Sequence, residues 1–201
     1  MAGPTLVPPP LEPLELRPAD GEWLVRLAAD AVRARLTGER ADGRVPRPAA
    51  LRRLGSSFVT LECAGLLRGC IGTLEAVRPL YRDVARNATR AMTDPRMEPL
   101  GVEEWPALAV SVAVLGPSEP LPARRLADLL QQLRPHVDGL VLSAGRRQAT
   151  FLPAVWEKLP DPADFVAALL VKGGWAPDRL PPGATMRRYT TAEFHAEAAT
   201  A

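Results

Sequence analysis

Residues 58–74 constrain this chain more than any other stretch. Phe58-Val-Thr-Leu-Glu-Cys63 and Leu66-Leu-Arg-Gly-Cys-Ile-Gly-Thr-Leu74 are two β-compatible runs with only Ala64-Gly65 between them. A connection that short, containing glycine, closes an antiparallel hairpin. The valine-rich run Leu108-Ala-Val-Ser-Val-Ala-Val-Leu115, bounded by Pro106 and by Gly116-Pro117, reads as the buried central strand that the hairpin joins.

Helical periodicity supplies the cover. From Asp20 the residues Leu24, Leu27, Ala28, Ala31, Val32 and Leu36 recur at helical spacing up to Gly38. A second helix begins at Pro79, runs through Leu80, Val84, Ala88 and Met92, and stops at Asp94-Pro95. Residues 124–134 predict a third, and Asp161-Pro162 starts a fourth that buries Phe165, Val166, Leu169 and Leu170 before Gly173-Gly174. A second hairpin is predicted where Gly139–Ser143 and Gln148–Leu152 flank Ala144-Gly145. A short strand over 186–189 and a final helix capped at Thr190 or Thr191 complete the pattern. Five prolines within residues 1–17 predict a flexible arm, with one domain over 18–197. The fold class is α+β, an antiparallel-rich sheet flanked by helices.

Composition excludes several functions. No run of about 18 apolar residues and no basic-then-apolar leader is present, so neither a membrane span nor export is indicated, and a cytoplasmic location is expected. All but two of the 25 basic residues are arginine, and with 22 prolines this reflects a GC-rich coding genome. The net charge of +2 comes from interspersed signs, so nucleic acid is not an expected partner unless folding gathers the arginines on one face. With only His136, His195, Cys63 and Cys70 beside the carboxylates, no metal site is expected. No cofactor is expected either, because Gly-x-Gly-x-x-Gly, P-loop, His-Glu-x-x-His and Gly-x-Ser-x-Gly signatures are missing.

Arg68-Gly69-Cys70-Ile71-Gly72 carries the first candidate chemistry. Strand alternation places Arg68 and Cys70 on one face, where a guanidinium beside a thiol favours thiolate and makes Cys70 a candidate nucleophile. With Ala64-Gly65 as the turn, however, Val59 and Leu61 oppose Cys70 and Arg68, the surroundings of an inert packed cysteine. The same register separates Cys63 from Cys70 by roughly 13 Å of strand rise, beyond the 7 Å or so that a disulfide spans, and two free thiols are predicted. Asp94-Pro95-Arg96 offers a carboxylate and a guanidinium but also satisfies simple turn chemistry. Glu103, Glu104 and Trp105 read as a solvated acidic turn with a packing anchor. Thr150 lies near a strand end, and Lys172 stands in the last helical turn, where a cation complements the dipole. Trp156 and Trp175 read as packing residues.

The run Phe58-Val-Thr-Leu followed by Leu67-Arg-Gly-Cys-Ile-Gly72 resembles the central signature of the AMMECR-type family, AmmeMemoRadiSam system protein A. Asp94-Pro95-Arg96, Pro99-Leu100, Glu104, Val110-Ser-Val112, Asp138-Gly139-Leu140, Ala149-Thr-Phe-Leu-Pro153, Val155-Trp156 and Lys172 match family positions in order, over about residues 20 to 195. Met97 and Gly173 depart from it, where the family usually carries an aromatic residue and Ala. The resemblance implies a two-lobed α+β fold with a smaller second lobe and a cleft between. It also implies a Memo-like protein and a radical S-adenosylmethionine protein as partners, and no established reaction. Its candidate set is Arg68, Cys70, Asp94, Arg96, Thr150 and Lys172, and all but Lys172 are expected to converge on one cleft. Two guanidinium groups there would favour a small anionic ligand. The competing outcome is an internal ion pair for Arg68, with Asp94 the nearest carboxylate. An accessory or substrate-binding component and an enzyme using Cys70 and Arg68 both fit this sequence.

Overall fold

A computed structural model describes residues 13–41 and 43–197. In chain order the elements are α1 (Pro18–Thr37), α2 (Ala49–Arg52), β1 (Leu54–Gly55), β2 (Ser57–Cys63), β3 (Leu66–Gly72), β4 (Arg78–Pro79), α3 (Leu80–Ala91) and β5 (Leu108–Leu115). There follow β6 (Glu119–Pro120), α4 (Leu126–Gln132), β7 (Gly139–Ala144), β8 (Arg147–Phe151), α5 (Pro162–Lys172), β9 (Thr185–Tyr189) and β10 (Thr191–Glu197). Two compact units result among the described residues: the larger takes residues 14–115 and 192–197, the smaller 116–191. No helix among the described residues is long and apolar enough to cross a membrane.

The larger unit is a four-stranded sheet in the order β10-β5-β2-β3, with α1 and α3 packed on it. Val59 and Leu61 of β2 and Val110 and Val112 of β5 meet Leu24, Ala28 and Val32 of α1 and Val84 and Ala88 of α3 in one buried core. α1 ends where expected because Gly38 takes the left-handed conformation, φ 75°, that stops a helix. The first twelve residues of the proline-rich arm lie outside the described residues, whereas Leu14 and Leu16 already pack on this core.

The chain's last described segment corrects the sequence reading. Residues 191–197 are a strand rather than a helix, and they lie along the outer edge of β5. The composition of Thr-Ala-Glu-Phe-His-Ala-Glu suits a helix, but pairing and packing override so weak a preference. Phe194 seats its ring over Gly21 of α1, where a Cβ would lie 1.9 Å from the nearest ring carbon.

A buried polar network that periodicity alone does not announce joins α3 to β2. Asp83 accepts from the Ser57 backbone N–H at 2.9 Å, from the Ser57 hydroxyl at 2.8 Å, from Asn87 Nδ2 at 3.0 Å and from Arg78 Nη1 at 2.6 Å. Asn87 also donates to the Ser57 carbonyl at 3.0 Å. Ser57, Asp83 and Asn87 are wholly buried, so each bond is made where water cannot replace it.

The smaller unit holds a sheet in the order β6-β9-β7-β8, with α4 and α5 contributing to its core. Trp156 stacks flat on Phe165, centroids 3.8 Å apart, and donates its indole N–H to the Asp138 carbonyl at 2.7 Å. The β7–β8 turn is Gly145-Arg146, one residue later than expected, because Ala144 already pairs with Arg147. Asp161 caps α5 by accepting from the N–H groups of Ala163 and Asp164. Gly173 makes room for the Trp175 ring, which a Cβ would approach to 1.9 Å. Its departure from the family's alanine is therefore matched by a local packing partner.

Candidate functional site

The β2–β3 hairpin turns at Ala64 (φ 49°) and Gly65 (φ 77°), both left-handed as the tightest hairpins require. Its register then departs from the sequence reading. Glu62 faces Leu67, but Leu61 faces Gly69, so Arg68 is the extra residue of a β-bulge. Beyond it every β3 residue is shifted by one. Cys70 consequently faces Thr60, not Val59, and its sulfur accepts from the Thr60 hydroxyl at 3.3 Å. Both cysteines are free thiols.

The motif's glycines have a packing reason. Gly69 lies under the C-terminus of α3, where a Cβ would come within 1.9 Å of the Ala91 carbonyl oxygen. Gly72 lies under the Phe58 ring, 2.2 Å from where a Cβ would stand. Close approach is thus by a helix end and an aromatic ring of the same unit.

β3 is an outer strand, and Asp94 and Arg96 occupy its exposed edge at Cys70. Asp94 Oδ2 accepts from the Cys70 N–H at 3.0 Å, and Arg96 Nη2 donates to the Cys70 carbonyl at 3.0 Å. The two side chains are locked together by bonds of 2.9 Å from Nε to Oδ1 and 2.5 Å from Nη2 to Oδ2. They give one strand residue the donor and acceptor that a neighbouring strand would offer. Asp94 is buried while Arg96 keeps about half its side chain in solvent, 54%.

Arg68 points elsewhere. It forms a two-pronged pair with Glu104, Nε to Oε1 and Nη2 to Oε2, the latter 2.9 Å, and Glu104 also accepts from the Gly101 N–H at 2.9 Å. Two corrections follow. The carboxylate that neutralises Arg68 is Glu104, not Asp94, and Glu104 is a half-buried clamp instead of a solvated turn residue. The guanidinium that bonds Cys70 is that of Arg96, through the Cys70 carbonyl, while Arg68 is engaged by Glu104.

Ion pairing sets the electrostatics. The Arg96 guanidinium holds the Asp94 carboxyl far below the usual carboxylate range, against the opposing effect of burial, and Arg68 lowers Glu104 in the same way. Because the folded Asp94 value lies below the unfolded one, its stabilisation is complete above about pH 4 and is lost as pH falls through the folded value. Chemical denaturation at stepped pH should show stability falling below about pH 4 in the parent and falling less steeply in Asp94→Asn. Equal slopes would mean that the pair does not hold in solution.

The structure places Arg68, Cys70, Asp94 and Arg96 together in the larger unit. Thr150 and Lys172 belong to the smaller one and meet there. Thr150 Oγ1 donates to the Leu140 carbonyl at 2.9 Å and lies 2.7 Å from the Tyr189 hydroxyl. Lys172 Nζ donates to the Thr150 carbonyl at 2.9 Å and sits 4.9 Å from the centre of the Phe151 ring. Lys172 therefore has a strand carbonyl and a ring face as partners in addition to its helix end. Thr60 and Glu104 are the participants that residue-type reasoning missed. Glu104 had a signal, since it stands three residues after Gly101 at the start of a short helical turn.

Comparison with known proteins agrees with this architecture. The AMMECR1 family pattern matches residues 25–194. A protein of Methanothermobacter thermautotrophicus is 36% identical over 181 residues, covering 88% of this chain and 94% of the relative. One of Aeropyrum pernix is 47% identical over 122 residues, covering 58% of this chain and 52% of that protein. The crystal structure of the uncharacterized protein PH0010 from Pyrococcus horikoshii superposes with a TM-score of 0.81 at 30% identity, over 88% of this chain and 91% of that one. Fold, motif order and extent of match together place this chain in the AMMECR1 family.

Proposed function

We propose that this AMMECR1-family protein is a partner-dependent, substrate-holding component, acting in the cytoplasm with a Memo-like protein and a radical S-adenosylmethionine protein, and not a self-sufficient catalyst. One observation carries the reading: the charged groups around the central motif are spent on each other. Arg68 is matched by Glu104, and Asp94 by Arg96 and the Cys70 peptide. A nucleophile needs an adjacent base or an uncompensated charge to activate it, and these pairs favour a rigid platform. The half-exposed Arg96 is the group that a substrate carboxylate or phosphate would meet. The test is capture of the two purified partners on the immobilised chain, with mass spectrometry of small molecules in the bound fraction. Retention of neither partner and no small molecule would overturn the reading.

The enzyme alternative draws on the Thr60 hydroxyl aimed at the Cys70 sulfur, with Arg96 alongside. It expects iodoacetamide near neutral pH to modify Cys70 at least about tenfold faster than Cys63, since reactivity follows thiolate content. The platform reading expects rates within about threefold of each other. Peptide mapping of a time course separates the two.

A further inference from the structure

The strongest unassigned feature is a row of arginines on α3. Leu80, Asp83, Val84, Asn87, Ala88 and Ala91 turn inward and are buried, while Arg82, Arg86 and Arg90 are exposed at four-residue intervals. Each step along the row is about 6 Å at the rise of an α-helix. Arg86 and Arg90 have no carboxylate within ion-pair distance among the described residues. The Arg82 contacts are the Tyr81 hydroxyl at 2.9 Å and the Tyr81 ring, 5.7 Å to its centre. The one acid of the helix, Asp83, is turned inward to Ser57 and Arg78.

This arrangement weakens α3 taken by itself. Like charges at i and i+4 repel, and Arg82 stands in the first turn, where the helix dipole disfavours a cation. Asp83 shares that first turn and complements the dipole, but its carboxylate is turned inward and is no partner for the row. Beside the row lie Ala85 and Thr89, small and half-buried, which leave a shallow strip along the helix.

We infer that the outer face of α3 docks an acidic helix of a protein partner, one carrying Glu or Asp at i, i+4 and i+8. The charge row defines the sign of the partner, the 6 Å or so between guanidinium roots matches carboxylates at helical spacing, and the Ala85–Thr89 strip admits a second helix. Nucleic acid fits less well. Single strands need free aromatic faces for stacking, and Tyr81 is taken up by Arg82. A duplex is held through roughly 6–10 phosphate contacts, and this row offers only Arg82, Arg86 and Arg90. The inference rests on the partner-dependent reading above, since it supplies the face by which a partner is held.

Titration of the 15N-labelled full chain tests it, using an alanine-based helical peptide with three glutamates at i, i+4 and i+8. Amide shifts are expected on residues 81–93, weakening steeply with added salt. A peptide of the same composition with its glutamates spread around the helix should bind at least about tenfold more weakly. Arg86→Glu and Arg90→Glu should each cost about tenfold or more in affinity. Arg86→Glu should do so without lowering Tm, since it relieves its like-charge contacts, whereas Arg90→Glu also removes a favourable last-turn cation. Equal binding of the two peptides, insensitivity to both variants, or tighter binding of a charge-matched DNA oligonucleotide or anionic vesicle overturns the inference. Repeating the partner capture with Arg86→Glu separates the two claims. Retained capture by both parent and variant leaves the platform reading standing and removes this face from it. Failure of the parent to capture anything counts against the platform reading, and the peptide titration still decides the face.

Discussion

Replacing Asp83 by alanine is expected to lower the unfolding free energy by about 3–5 kcal/mol, the usual result of removing one member of a buried ion pair. Four donors converge on this carboxylate, and two of them, the Ser57 N–H and hydroxyl, lie in a strand with no solvent access. Truncation leaves them unsatisfied and leaves the Arg78 guanidinium without its partner. Asp83→Asn keeps the shape and one acceptor, so it should cost less. Urea denaturation of the three proteins measures the difference. A loss under about 1 kcal/mol for the alanine variant would show that Ser57, Asn87 and Arg78 re-pair without the carboxylate.

The second large effect lies in the smaller unit. Leu169→Ala is expected to cost about 2–5 kcal/mol, through lost apolar burial and the cavity left behind. Leu169 is fully buried on α5 beside Phe165, Val166 and Leu170. On the same helix Val171 is 60% exposed, and Val171→Ala should change stability by no more than about 0.5 kcal/mol. Comparing the two urea midpoints controls for helix propensity. A loss below about 0.5 kcal/mol at Leu169 would show that this face of α5 is not packed in solution.

Elements that announce themselves by period or punctuation were legible in the sequence. α1 is fixed by its apolar stripe and Gly38, α5 by Asp161-Pro162 and Gly173, and the hairpin by Ala64-Gly65. What escaped depends on contacts between distant segments. The bulge at Arg68 arises from pairing with β2, yet it alone decides that Cys70 meets Thr60. Residues 191–197 carry a helix-compatible composition, and only the open edge of β5 makes them a strand. Asp83 and Asn87 did leave a trace, being polar residues four apart on the same helical face as Leu80, Val84 and Ala88. Around the central motif, Arg68, Cys70, Asp94 and Arg96 do lie in one unit, but their partners differ from those expected, because alternation along one strand ignores the extra residue.

The position of β10 has a consequence for how this protein is made. Its neighbour β5 leaves the ribosome early, but Gly116–Thr191 must be translated before β10 exists to cover it. At about 5–20 residues per second that interval lasts about 4–15 s. Throughout it β5 presents an unpaired, valine-rich margin, the kind of template on which nascent chains associate. Shortening the chain before Phe194 would make that transient exposure permanent and would empty the slot over Gly21. Damage at the carboxyl end is therefore expected to appear as instability in the half of the protein synthesised first.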